Sequence, residues 1–155
     1  MVMETLAYLE QCCMPYRLLE HRRACSGQHL AEASHVSGLN VAKAVVVKTE
    51  SSFYICVLPA CYNVDLKVLA WQLRTNKVTL ASETEMRTLF PRTELGAEAP
   101  IGEIYGLRTL MDLSLCSRDY ILFHAGTHDL AVQMREGDFE QVATPMILDF
   151  SYPQS

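Results

Sequence analysis

The sequence predicts an α/β protein with a mixed, mostly antiparallel β-sheet. Three observations lead to this prediction: helical and strand-like segments alternate along the 155 residues, two segments rich in Val, Ile, Phe and Tyr adjoin through a short polar turn, and half of the residues are hydrophobic. A chain of this length and composition can bury one substantial core, so we expect residues 1–155 to form a single domain. The apolar content excludes intrinsic disorder.

Helical spacing of apolar residues predicts the first helix at 3–13. A second helix is predicted to begin at Ser26 and to end with Gly38 as its C-terminal cap, because glycine adopts the left-handed conformation that often closes a helix. A further short helix is predicted at 139–142.

Two capping patterns predict helices in the middle of the chain. Asp65 precedes a helix that runs to Arg74, and its carboxylate can accept the unpaired backbone N–H groups of the first turn. Ser82 and Glu85 have the spacing of a capping box, and Pro91 ends the helix that they begin.

Strands are predicted where Val, Ile, Phe and Tyr cluster. The two richest segments, 42–49 and 53–60, flank a polar turn and are expected to form a β-hairpin. Shorter strands are predicted at 16–19, 78–80, 104–107, 109–112, 120–124 and 130–134.

The charge and the cysteines of the chain indicate which partners and which cellular compartment to expect. Thirteen basic against eighteen acidic residues give a net charge of -5, which argues against a long basic face for nucleic acid but permits contact with a nucleic-acid end. The six cysteines form no C-x-x-C pair, so we expect free thiols. No secretory signal and no membrane span of about 20 apolar residues is recognised, so a cytoplasmic location is expected and no membrane partner.

Lys43 interrupts an apolar strand. Strict alternation places its side chain on the same face as Val41 and Val45. Burial of a charge on such a face destabilises the fold by several kcal/mol. This cost is avoided if the charge is paired or faces a solvated pocket that receives an anionic ligand. The alternative interpretation is a lysine of an edge strand that extends to solvent.

A glycine- and proline-containing loop and a strand end are the other candidate site segments. Gly96, Ala97, Glu98, Ala99 and Pro100 form a G-x-x-x-P loop, whose backbone N–H groups are suited to an oxyanion hole. A plain connection between strands explains the same composition.

Gly126, Thr127 and His128 follow the strand at 120–124, which places a hydroxyl and an imidazole at a strand end. His128 is suited to orienting a substrate or carrying a proton. An exposed loop histidine is the alternative.

Metal ions and cofactors are not expected. His124 and His128 are four residues apart, as are His21, Cys25 and His29, but this spacing suits metal ligands only on a helix. No phosphate-binding or dinucleotide fingerprint occurs. Cys56 and Cys61 lack a neighbouring base in the sequence, so both are interpreted as small hydrophobic residues.

In their order along the chain, these segments resemble the YbaK-type aminoacyl-tRNA deacylases, free-standing relatives of the editing domain of bacterial prolyl-tRNA synthetases. The resemblance covers 16–139 and depends most on Lys43, the G-x-x-x-P loop and the Gly126-Thr127-His128 turn. It implies a curved sheet or barrel flanked by helices.

The resemblance implies an enzyme that hydrolyses the ester of a mischarged tRNA, with Lys43 as its essential side chain. The Lys43 ammonium would contact the 3′-terminal phosphate or ribose. The loop N–H groups would stabilise the oxyanion, Thr127 and His128 would shape the amino-acid pocket, and a ribose hydroxyl would assist the attacking water. Family members often have glycine at the position of Ala97, where an added methyl group would narrow the pocket.

The expected partner is the acceptor end of a mischarged tRNA, contacted with help from Arg22, Arg23 or Lys67, with an aminoacyl-tRNA synthetase as a further candidate. Two other functions fit the same residues. One is a non-catalytic module that binds an aminoacyl or tRNA end in association with a synthetase. The other is an esterase for simple amino-acid esters.

Overall fold

The Val-rich hairpin lies at the centre of the largest sheet. A computed structural model describes residues 2–20 and 27–154. In it, β2 (Ala42–Lys48) and β3 (Phe53–Pro59) pair antiparallel over their whole length. The hairpin prediction is therefore confirmed.

The described residues contain ten strands, which form three sheets. The other strands are β1 (Arg17–Glu20), β4 (Tyr62–Val64), β5 (Thr79–Leu80), β6 (Arg108–Asp112), β7 (Tyr120–His124), β8 (Leu130–Arg135), β9 (Met146–Leu148) and β10 (Ser151–Pro153). Their orders are β5-β2-β3-β6-β9, β1-β8-β7 and β10-β4. Five strand pairings are antiparallel and two are parallel, which confirms the mixed, mostly antiparallel arrangement. The strands do not close into a barrel.

In the described part of the chain, five α-helices flank the sheets: α1 (Val2–Gln11), α2 (Gly27–Ser34), α3 (Leu66–Gln72), α4 (Glu83–Leu89) and α5 (Glu136–Ala143). Both predicted caps are confirmed. The Asp65 carboxylate accepts the Val68 N–H at 3.1 Å, and Ser82 and Glu85 form the reciprocal capping box. Within the part of the chain described, no helix has the length and apolar character needed to cross a membrane.

Two local predictions are wrong. Gly38 does not cap α2, because the chain has already left the helix at His35, which adopts the left-handed conformation at φ +56°, and Gly38 begins a 3-10 turn. The predicted strand 104–107 lies largely in the 3-10 turn Gly102–Tyr105, which ends at Gly106 with φ +72°. The strands β4, β9 and β10 were not predicted because three residues are too few to show alternation.

The two faces of β2 are buried against different parts of the core. Ala42 and Val46 belong to the main apolar cluster, which also contains residues of β3, β7 and α5. On the opposite face, Val47 packs with Leu69 of α3, and Val41 packs in a smaller cluster with residues of α2 and β7. This second face carries the candidate site.

Candidate active site

Lys43 is half-buried on the second face of β2. Burial lowers the pKa of its ammonium, and the nearby Cys61 thiol acts more weakly in the opposite direction. Among residues 2–20 and 27–154, no carboxylate pairs with Lys43. Lys43 is therefore a partly desolvated cation with no counter-charge among the described residues.

The surroundings of β2 disfavour the interpretation of Lys43 as an edge-strand lysine. One side of β2 pairs with β3 throughout. On the other side, β5 covers the end of the strand at Val47 and Lys48, and Val41 at its beginning bridges to Leu122 of β7. Lys43 thus lies between two points of contact rather than on a free edge.

His124 lies on the same face as Lys43. The Val41–Leu122 bridge is parallel, and the residues two positions further along each strand are Lys43 and His124, so both side chains project to one side. His124 is 5% exposed, and its ring meets the His128 ring edge to face with centroids 5.5 Å apart. We considered His124 only as a metal ligand in the sequence; alternation along β7, which places it with Leu122, is the signal that identifies it as a site residue.

The G-x-x-x-P loop and the Gly126-Thr127-His128 turn are joined by hydrogen bonds. The Glu94 N–H donates to the Gly126 carbonyl at 3.0 Å, and the Gly126 N–H donates to the Ala97 carbonyl at 2.9 Å. The His128 N–H donates to Glu94 Oε1, and His128 Nε2 lies 2.8 Å from the Leu95 carbonyl oxygen. Because a carbonyl only accepts, Nε2 carries a proton.

Three of the four backbone N–H groups of the loop are engaged in this conformation. The Gly96 N–H donates to Glu98 Oε2 at 2.7 Å, the Ala97 N–H donates to the Glu94 carbonyl at 3.0 Å, and the Ala99 N–H donates to the Tyr105 hydroxyl at 3.1 Å. Proline at the fifth position has no N–H. The expected oxyanion hole is therefore not supported by these contacts.

Four of the five loop residues are buried, whereas Gly96 is exposed. Ala97 and Ala99 are fully buried, Pro100 is buried, and Glu98 is 6% exposed. Burial raises the pKa of Glu98, although backbone N–H donors and His128 act in the opposite direction. With its methyl group buried, Ala97 offers no accessible wall to a pocket, and the loop has the character of a rigid support for the turn.

The remaining predicted residues have mixed positions. The Thr127 hydroxyl donates to Asp129 at 2.8 Å and so is held within its own turn. Lys67 is exposed on α3. Arg22 and Arg23 lie outside the described residues, as do His21 and Cys25 and the side chain of His29.

The two central cysteines differ in their surroundings. Cys56 is fully buried, and burial raises the pKa of its thiol far above the ordinary value, which makes it a poor nucleophile and fits the interpretation as a small hydrophobic residue. Cys61 is partly buried and lies near Lys43. Sequence spacing could not show this proximity.

The described residues form an α/β domain with a candidate site on one face of β2. The chain belongs to the aminoacyl-tRNA editing domain family, whose model matches residues 21–142. The resemblance seen in the sequence is thereby confirmed. No curated protein matches the chain at a significant level.

Solved structures share the fold at low sequence identity. A hypothetical protein has a TM-score of 0.87 at 16% identity, with 96% of this chain and 99% of that chain covered. A candidate trans-editing enzyme for prolyl-tRNA synthetase has a TM-score of 0.86 at 16% identity, with 97% and 96% covered. A candidate signal transduction protein from Marinobacter aquaeolei VT8 has a TM-score of 0.73 at 16% identity, with 94% of this chain but 30% of that chain covered.

Proposed function

We propose that the chain is an aminoacyl-tRNA deacylase that hydrolyses the ester between a wrong amino acid and the terminal adenosine of a tRNA. The observation that carries the proposal is the half-buried Lys43 ammonium, which has no carboxylate partner among the described residues and shares a face with His124. An uncompensated cation of this kind is stabilised by an anionic ligand. Membership of the editing-domain family supports the aminoacyl end of a tRNA as this ligand.

In this mechanism, the Lys43 ammonium contacts the terminal phosphate or ribose and holds the ester in place. Water adds to the ester carbonyl, the bond between that carbon and the ribose oxygen breaks, and the ribose oxygen leaves with a proton. Since three loop N–H groups are engaged, we assign stabilisation of the developing negative charge to Lys43 as well.

The attacking water is activated by a ribose hydroxyl of the substrate. Among the described groups near the site, His128 Nε2 is held by the Leu95 carbonyl and Glu98 Oε2 by the Gly96 N–H. These contacts make His128 and Glu98 supports rather than proton acceptors. Through the edge-to-face ring contact, His128 supports His124, which shares a face with Lys43.

The experiment compares Lys43→Ala with Lys48→Ala on tRNAs charged with alanine, serine, threonine, cysteine or proline. Lys48 lies on the same strand, but its ammonium is bound to Glu85 at 2.8 Å. We expect Lys43→Ala to lower deacylation about 100-fold or more, with an unchanged circular dichroism spectrum, and Lys48→Ala to retain activity. Full activity of Lys43→Ala would remove the proposal.

The same assay separates the two other functions. A non-catalytic binding module retains the charged tRNA without releasing the amino acid. An esterase for small molecules hydrolyses amino-acid esters and is not inhibited by uncharged tRNA, whereas the proposed deacylase is.

A further inference from the structure

The helix α3 and the turn that follows it have an unusual distribution of charge. Between residues 66 and 82 the sequence contains Lys67, Arg74 and Lys77 and no Asp or Glu, although the whole chain has a net charge of -5. The single tryptophan of the protein, Trp71, lies among them and is 81% exposed. We call Lys67, Trp71, Arg74 and Lys77 the α3 surface.

The cations of the α3 surface have no acidic partner among the described residues. All three are exposed, and within the described ranges none forms an ion pair, whereas Lys48 and Arg87 do. The Asp65 carboxylate at the start of α3 is used to cap the helix. A cleft of about 430 Å³ beside Trp71 is lined by lysine, amide, hydroxyl and apolar groups without an acidic side chain.

The α3 surface lies on the same side of the hairpin as Lys43. Leu69 of α3 packs in one apolar cluster with Leu58, and Leu58 is the cross-strand neighbour of Lys43. Directly opposed residues of a strand pair project to the same face of the sheet. A ligand held at Lys43 therefore approaches the side of the molecule that α3 covers.

Building on the proposed function, we propose that the α3 surface binds the RNA of the substrate. Lys67, Arg74 and Lys77 contact phosphates, and Trp71 stacks on a base of the single-stranded 3′ end. A largely exposed indole beside cations that have no ion-pair partner among the described residues fits single-stranded nucleic acid. Every base offers a face for stacking, and every nucleotide offers a phosphate. This surface supplies the positive charge that the chain lacks overall.

The test uses the fluorescence of Trp71, which is the only tryptophan and therefore reports on this surface alone. The probe is an uncharged RNA hairpin with a tRNA acceptor stem and its single-stranded 3′ end. We expect saturable quenching of the emission. The double variant Lys67→Glu, Lys77→Glu should weaken binding about 10-fold or more. It should also reduce, by about 1 to 2, the steepness with which the logarithm of the binding constant falls with the logarithm of the salt concentration.

The matched control is Arg108→Glu, an exposed cation on β6, which should bind the hairpin like the wild type. Absence of quenching, or equal weakening by the control and the double variant, would overturn the proposal. A change in emission with a synthetase but not with RNA would identify a protein interface and would also overturn it. Because the hairpin carries no amino acid, quenching without deacylation rejects the proposed function alone, and deacylation without quenching rejects the α3 surface alone.

Discussion

At the scale of single residues, Lys43 is the centre of the proposed chemistry. Its ammonium is partly desolvated, and removal from water disfavours the charged form of a lysine. The folded protein therefore binds the proton of the Lys43 ammonium less tightly than the unfolded chain does. The charged side chain destabilises the fold at pH values below the lowered pKa, and this destabilisation disappears as pH rises above that pKa. Such a cost is typical of a residue retained for a ligand.

The lowered pKa of Lys43 gives the reaction a pH dependence. We expect kcat/KM, corrected for spontaneous ester hydrolysis, to fall on the alkaline side at a pH below the ordinary lysine value of 10.5, because only the ammonium binds the substrate. In Lys43→Arg the guanidinium stays charged, so the alkaline decrease should disappear at whatever rate remains. An identical decrease in both proteins would show that another group titrates.

Gly126 has a conformation that other residues rarely adopt, with φ +102°, and both its N–H and its carbonyl bind the loop. We expect Gly126→Ala to lower the free energy of unfolding by about 1 to 3 kcal/mol. The control is Gly137→Ala in α5, where an added Cβ meets no atom within 4 Å and a gain of about 0.5 to 1 kcal/mol is expected. Urea unfolding would measure both, and equal effects would contradict the role of Gly126.

At the scale of secondary-structure elements, the beginning of α5 contains a cluster of acidic groups. Glu136 is 7% exposed, and ligating atoms of Glu136, Glu140 and Cys116 all lie within 4.8 Å of one another. Burial and the neighbouring Glu140 raise the pKa of Glu136 to about 8, and burial with the nearby acids raises that of Cys116 to about 11. The folded protein therefore retains a proton here at neutral pH.

This proton makes stability depend on pH. The pKa of Glu136 in the folded protein lies above its ordinary value of 4.5. The contribution of Glu136 to folding stability is therefore fully present below about pH 4.5 and is lost as the pH rises to about 8. Glu136→Gln should flatten this dependence and raise the free energy of unfolding at pH 8 by about 1 to 3 kcal/mol. Urea unfolding from pH 5 to 9 would measure it, with the exposed Glu32→Gln as control; parallel curves for wild type and Glu136→Gln would refute the assignment.

At the scale of the whole molecule, positive charge is scarce and locally concentrated. Lys43 and the three cations of the α3 surface lie on one side of the hairpin and have no carboxylate partner in the described part of the chain. In the proposed complex, these cations contact a few phosphates at one end of a tRNA.

The salt dependence of deacylation measures the number of phosphates that the protein contacts. We expect log kcat/KM to fall with log salt concentration with a slope of about -2 to -4, because each phosphate contact contributes about 0.7 to 0.9. Hydrolysis of a small amino-acid ester is the control and should be insensitive to salt. A slope near zero would place the RNA elsewhere, and a slope steeper than about -6 would require a much larger basic surface.

The sequence determined the features whose causes are local. The hairpin, the Asp65 cap and the Ser82 capping box depend on side chains within a few residues of one another, and each was predictable. The sequence also contained the lysine, loop and turn motifs in their order. Errors arose where a conformation was not tied to residue type, as at His35, which occupies the left-handed position expected of a glycine.

Only the tertiary structure decided how these motifs meet. Hydrogen bonds between residues 33 and 34 positions apart join His128 to Leu95 and Glu94, just before the loop. Other contacts, such as that of the Ala99 N–H with the Tyr105 hydroxyl, engage loop donors that the sequence analysis assigns to the substrate. The bridge from Val41 to Leu122 brings His124 to the face of Lys43. Such contacts form because distant segments bury apolar surface together and then satisfy their backbone groups with whatever partners that packing provides, so no short stretch of sequence can specify them.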